Sequence, residues 1–157
     1  MRSPSRPTLS AAGFTLLEIM VVVTMIGLLC AIAVPAYRKL QRRSVNTLTS
    51  NELRVASGAL EYYVTDKGIW PPDGDGGIPA ELIGYLPPPD RWNKPTPIGG
   101  SWSWSINTDG AAAALRINNF TALDDQIAAI DQMIDNGDTS SGTLFRSGQS
   151  LIYVLQQ

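Results

Sequence analysis

The sequence predicts an α+β fold in which one long N-terminal helix packs on a small C-terminal antiparallel β-sheet. Three observations carry that expectation. A nearly unbroken apolar run fills Phe14 to Val34, interrupted only by Thr15, Glu18, Thr24 and Gly27. Helical spacing of apolar residues continues beyond Pro35. The rest of the chain shows short alternating stretches punctuated by Gly, Pro, Asn and Asp, as expected of small strands joined by turns.

Residues 1–13 carry Arg2 and Arg6, no acidic residue, and end Ala11-Ala12-Gly13. The 21 residues Phe14–Val34 rise about 31 Å as a helix, enough for a bilayer core of about 30 Å. A signal-peptide core is shorter, about 7–15 residues, and no A-x-A-like site follows this one. Residues 14–35 are therefore expected to stay with the mature chain as a transmembrane helix. Glu18 stands out within it, because a carboxylate near the end of a spanning helix costs a few kcal/mol and usually serves a function. A solvated residue snorkelling to the interface is the bland alternative. Cys30 reads as a small packing residue, since a thiol in hydrocarbon is rarely the reactive thiolate. Pro35 lacks an N–H and is expected to loosen or kink the helix near residue 31.

Residues 36–66 continue the helix as an amphipathic segment. Tyr37, Leu40, Val45, Leu48, Val55, Ala56, Ala59, Leu60 and Tyr63 recur at mostly helical intervals, with Arg38, Arg42, Arg54 and Glu61 on a polar side. One helix from Phe14 to about Asp66 would be roughly 80 Å long, with Lys67-Gly68 as its stop. The globular domain follows over 67–157. Ala80–Tyr85 reads as a short helix, and Pro87-Pro88-Pro89 as a break. Ser101–Asn107 alternates Trp102, Trp104 and Ile106 against serines, a strand pattern, and Ala112–Asn118 can pair with it across Thr108-Asp109-Gly110. Thr121 to about Asn136 reads as a helix capped by Thr121, with Ile127, Ile130 and Ile134 on one face. Leu151–Leu155 is the expected last strand.

Composition excludes much chemistry. The 157 residues suit one domain, net charge is −2, histidine is absent, and Cys30 is the sole cysteine. An internal disulfide, a Cys/His metal site and Ser-His-Asp catalysis are all ruled out. No basic-aromatic patch suggests direct nucleic-acid binding. No catalysis is expected; a carboxylate hydrolase would need convergent acids, for which Asp73 and Asp75 are candidates by proximity alone. Trp70, Trp92, Trp102 and Trp104 read as core against the long helix rather than as a sugar or partner surface.

The stretch Gly13-Phe14-Thr15-Leu16-Leu17-Glu18, followed by Ile19-Met20-Val21-Val22-Val23, resembles the prepilin-peptidase signature of type IV pilins and type II secretion pseudopilins. The resemblance implies a pilin-like fold, a leader peptide over 1–13, cleavage between Gly13 and Phe14, and N-methylation of Phe14. It also implies that Glu18 neutralises a neighbouring subunit's N-terminus during assembly, and that Pro35 is the family's helix-bending proline. A second stretch, Tyr85 to Pro95, resembles the Asp-Pro-Trp-Gly-x-Pro-Tyr region of pseudopilins, especially the major one, protein G. It departs from that pattern at Arg91, Asn93 and Thr96. The lack of a C-terminal cysteine pair points the same way.

The implied function is a structural subunit of a type II secretion pseudopilus that promotes protein export across the outer membrane. A type IV pilus or competence subunit is the alternative, and an uncleaved single-pass receptor is another. Implied partners are the prepilin peptidase, other pilin or pseudopilin subunits, the inner-membrane assembly platform and the bilayer. The expected location is the inner membrane, N-terminus cytoplasmic and C-terminal domain periplasmic, and then the filament. The basic cluster Arg38, Lys39, Arg42 and Arg43 after the span runs against that orientation when basic residues are counted. The cleavage motif favours it. The family also suggests calcium, with Asp73, Asp75, Asp135 and Asp138 as candidate ligands. Neither stretch completes an EF-hand pattern, and solvated turns with a helix C-terminus account for both more simply.

Overall fold

The computed structural model describes residues 13–86 and 89–156. Residues 1–12 of the expected leader, and the Pro87-Pro88 part of the expected break, lie outside them. The element order is helix α1 (Leu16–Lys67), strands β1 (Ser101–Thr108) and β2 (Ala111–Asn118), helix α2 (Asp124–Ile134), and strands β3 (Leu144–Ser147) and β4 (Ser150–Gln156). Short 3₁₀ turns occupy Ala80–Leu82 and Pro89–Arg91. The chain forms two compact units that meet between Leu40 and Gln41.

The first unit is helical from Leu16 onward, and every described residue in it is exposed. The exposed apolar side chains include Phe14, Leu16, Leu17, Met20, Ile26, Leu28, Leu29 and Ile32. This helix is long and apolar enough to cross a membrane. It runs through Pro35 with no break in its helical assignment, although that residue cannot donate to the Ala31 carbonyl.

The second unit holds the core. From Asn46 onward, α1 buries Thr49, Ser50, Leu53, Ala56, Ala59, Leu60 and Tyr63, the three-to-four spacing of a helix with one face on a domain. Lys67-Gly68 ends it as expected: Gly68 adopts a positive φ of 76°, and its amide bonds the Val64 carbonyl at 2.7 Å. Four antiparallel strands lie in the order β1-β2-β4-β3. Trp102 faces Ile117 and Trp104 faces Leu115 across β1 and β2. All four are buried in one cluster with Leu53, Leu60, Ile127 and Ile130. Trp104 donates its indole N–H to the Pro71 carbonyl at 3.2 Å. Both tryptophans are core, as the strand pattern indicates. On the opposite face, Ala111, Ala114 and Ile152 form a smaller cluster with Phe145 and Val154.

Helix α2 lies alongside α1 in the same direction. Arg42 reaches Asp125 at 3.0 Å, and eight residues further on each helix Ser50 meets the Met133 sulfur at 3.6 Å. Arg54 then bonds the Met133 carbonyl at 2.6 Å, satisfying one of the last-turn acceptors that a helix leaves open.

Two expectations are corrected here. The second helix begins at Asp124 and ends at Ile134, so Thr121 does not cap it; Leu123 occupies the cap position with no side-chain bond. The Thr121 hydroxyl instead donates to the Ile98 carbonyl at 3.2 Å. Gly99, at φ +84°, allows that approach, since a Cβ there would fall 2.4 Å from the Thr121 oxygen. The short helix expected over 80–85 is reduced to a 3₁₀ helix at Ala80–Leu82, with turns over 83–85. Strand β3 is an addition that the sequence reading lacked.

Candidate functional site

The residues with the most specific sequence signature lie at the start of α1. Gly13, Phe14 and Thr15 precede the helix, and Glu18 sits in its first turn. The Thr15 hydroxyl accepts the Glu18 backbone N–H at 3.2 Å, so Thr15 caps the helix. Thr15-x-x-Glu18 has the spacing of a capping box, and a carboxylate in the first turn also complements the helix dipole. Sequence reasoning missed this local role, although the spacing was its signal. Phe14 and Glu18 are exposed. The arrangement presents a short non-helical lead-in at Gly13–Phe14, then a capped helix with one carboxylate on an otherwise apolar surface.

The acidic stretches proposed for calcium are already engaged. Asp73 accepts the Asp75 amide at 2.9 Å with one oxygen and the Ile106 amide at 3.2 Å with the other. It thereby fastens its loop to β1. Asp135 accepts the Thr143 amide at 2.6 Å. Asp138 accepts the Ser140 amide and hydroxyl and the Ser141 hydroxyl at 2.6–3.0 Å. The bonds from Ser140, with Ser141 adding to them, hold its carboxyl below the usual range. Among the described residues, no group of three or more His, Cys, Asp or Glu side chains could hold a metal ion. These carboxylates shape turns, and the calcium expectation finds no assembled ligand set.

Asp131, which the sequence reading did not single out, is fully buried on α2, and neither carboxylate oxygen has a hydrogen-bond partner among the described residues. Burial raises its pKa; the nearby Gly137 amide offsets this in part without forming a full hydrogen bond, and the charges of Asp135 and Asp138 raise it further. The raised folded-state value gives the sign. Between the ordinary carboxylate pKa and the raised one, the folded chain holds a proton that the unfolded chain has lost. Stability therefore falls as pH climbs through that window, and the penalty is largest above it. Asp131→Asn is expected to raise the melting temperature of the detergent-solubilised chain at pH 7 by a few degrees, and by less as pH falls through the window. An unchanged or lower melting temperature at pH 7 would contradict this.

A bidentate ion pair ties α1 to the loop before β1. The Arg91 Nε and Nη2 donate to the two Glu52 oxygens at 2.5 and 3.0 Å, and Nη1 reaches the Pro95 carbonyl at 2.8 Å. Arg91 is one of the positions that depart from the protein G pattern.

No family model matches the chain. Among curated proteins it is similar to the fimbrial protein EcpC of Eikenella corrodens, 44% identical over 73 residues, covering 46% of this chain and 48% of that protein. It is also similar to the type II secretion system core protein G of Pseudomonas aeruginosa, 33% identical over 85 residues, covering 53% of this chain and 59% of that protein. The type IV major pilin PilE1 of Neisseria gonorrhoeae is 36% identical over 69 residues, covering 42% of this chain and 31% of that protein. The chain thus spans from about a third to about three fifths of the length of these three relatives. Among solved structures, the major type IV pilin PilA1 from Clostridium difficile aligns with a TM-score of 0.56 and 18% identity, over 76% of this chain and 98% of that one.

Proposed function

We propose, for a chain that is pilin-like in its relatives and its fold, the role of a structural filament subunit drawn from the inner membrane. The observation that carries this reading is the start of α1. Gly13 and Phe14 lie outside the helix, where a peptidase can reach the bond between them, and the capped apolar helix with its lone first-turn carboxylate follows at once.

In this reading the prepilin peptidase cleaves after Gly13 and methylates Phe14, leaving a positive amine one helical turn from Glu18. The helix waits in the bilayer, with the N-terminus cytoplasmic and the globular unit in the periplasm. Interaction with the assembly platform then transfers the helix from lipid to a filament core of neighbouring subunits, where Glu18 pairs with the adjacent subunit's amine. The chain performs no catalysis of its own, and the loosened backbone at Pro35 supplies the bend that filament packing uses. The partial Tyr85–Pro95 likeness supports a pseudopilus of type II secretion. A type IV pilus remains the second reading, because fimbrial and type IV pilin proteins stand among the relatives.

Intact mass and N-terminal sequencing of the protein purified from membranes test the maturation step. A chain beginning at methylated Phe14 is the expected result. A chain beginning at Met1, from cells with an active peptidase, overturns it and favours the uncleaved receptor.

A further inference from the structure

The basic residues Arg38, Lys39, Arg42 and Arg43 follow the apolar run within ten residues of Val34. One of them, Arg42, lines a cleft of about 260 Å³ with Gln41, Val45, Gly99, Thr121 and Gln126. Gly99 and Thr121 approach closely in its lining, where any side chain at 99 would collide with the Thr121 hydroxyl. Its polar lining offers a guanidinium and two primary amides as donors. The carboxylate paired with Arg42 is Asp125, at 3.0 Å, and both side chains are more than half exposed. An exposed pair of this kind contributes little, and a stronger anion can displace the acid.

We propose that this cleft, with the basic residues next to it in the sequence, binds the phosphate of an anionic phospholipid headgroup. The inference rests on the reading that Phe14–Val34 spans a bilayer. Charge complementarity selects the occupant: basic residues beside a span attract anionic lipid, and guanidinium binds phosphate in a fork. The apolar Val45 and Ala122 in the same lining suit the glycerol edge of a headgroup. Arg42 then exchanges its partner, Asp125 when the phosphate is absent and the phosphate when it is bound. The headgroup holds the subunit at the membrane until assembly removes it.

The test uses the full chain in detergent micelles doped with phosphatidylglycerol or phosphatidylcholine, with retained lipid counted by native mass spectrometry. Wild type is expected to retain phosphatidylglycerol in preference to phosphatidylcholine. Arg42→Gln combined with Arg38→Gln, Lys39→Gln and Arg43→Gln is expected to lose that preference at least about tenfold. Asp125→Asn, which removes the competing acid, is expected to increase retention severalfold. Inorganic phosphate at millimolar concentration should not displace the lipid; complete displacement would mean a free-phosphate site and overturn the lipid assignment. Equal retention in the quadruple variant, or no gain in Asp125→Asn, also overturns the proposal. Carbonate extraction of cell membranes separates the two readings. A wild-type chain released by carbonate defeats the spanning reading and this inference together, whereas a chain that stays but shows no lipid preference defeats the inference alone.

Discussion

Glu18→Ala is expected to leave membrane insertion and cleavage intact and to abolish filament assembly. Insertion becomes easier, because a carboxylate that costs a few kcal/mol in a spanning helix is gone. Cleavage depends on Gly13–Phe14, which the substitution does not touch, and the Thr15 cap accepts a backbone amide that alanine retains. The local role of Glu18 is small, since a first-turn carboxylate contributes only about 0.3–1 kcal/mol through the helix dipole. Assembly is different. Each added subunit would bury an N-terminal amine with no carboxylate opposite, and breaking such a buried pair costs about 3–5 kcal/mol. Repeated at every subunit, that loss stops growth. Glu18→Gln should behave like the alanine variant, because it restores size without charge. The measurements are membrane fractionation, N-terminal sequencing and the yield of sheared filaments. Wild-type filament yield in Glu18→Ala would eliminate the pairing role.

Arg91→Ala is expected to destabilise the globular unit by about 3 kcal/mol, a large fraction of the 5–15 kcal/mol typical of a folded domain. Glu52 is 8% exposed and would be left without the guanidinium that pairs with it; the Pro95 carbonyl would lose a donor as well. The cost comes mainly from the stranded carboxylate, so Glu52→Gln in the Arg91→Ala background should recover much of it. Thermal unfolding by circular dichroism, run as a double-mutant cycle, reads the coupling directly. If the two single losses simply add, the pair does not act as a unit.

The same ion pair shows where the sequence stops being readable. Arg91 could be seen as a departure from a motif, but its partner lies 39 residues earlier in the chain, and nothing local names Glu52. By contrast, α1 was legible almost to the residue. Its first half is an apolar run, its second a clear stripe, and Gly68 supplies the left-handed stop. The β1–β2 hairpin was legible too, because the alternation around Trp102 and Trp104 meets an Asp109-Gly110 turn in which both residues adopt positive φ.

Strand β3 was not legible. Four residues, Leu144–Ser147, become a strand only through pairing with β4, a contact that the segment's own composition does not specify. Thr121 failed as a cap for a similar reason: its hydroxyl is taken by Ile98, brought near through Gly99. In the candidate site, Gly13, Phe14 and Glu18 could be picked out from their resemblance to the prepilin-peptidase signature. The roles proposed for them concern other molecules, which a single chain does not contain. Asp131 was invisible because its isolation is a property of the packed interior, and alternating Asp and Ile on an amphipathic helix gives no hint of which acid will be enclosed.

The margins of the sheet are both obstructed. Beside β1, the Gly74–Gly77 segment lies against the outer side of the strand, with the Trp104 amide bonded to the Gly77 carbonyl at 2.8 Å and the Gly74 amide to the Trp104 carbonyl at 3.3 Å. Asp73 occupies the next amide along, at Ile106. The far margin, β3, is only four residues long and carries Arg146. Unguarded margins invite strand-to-strand fusion between molecules, and short, charged or covered ones resist it. By the same rule, copies of this domain brought close together are expected to resist merging into amyloid-like ribbons through their sheet edges.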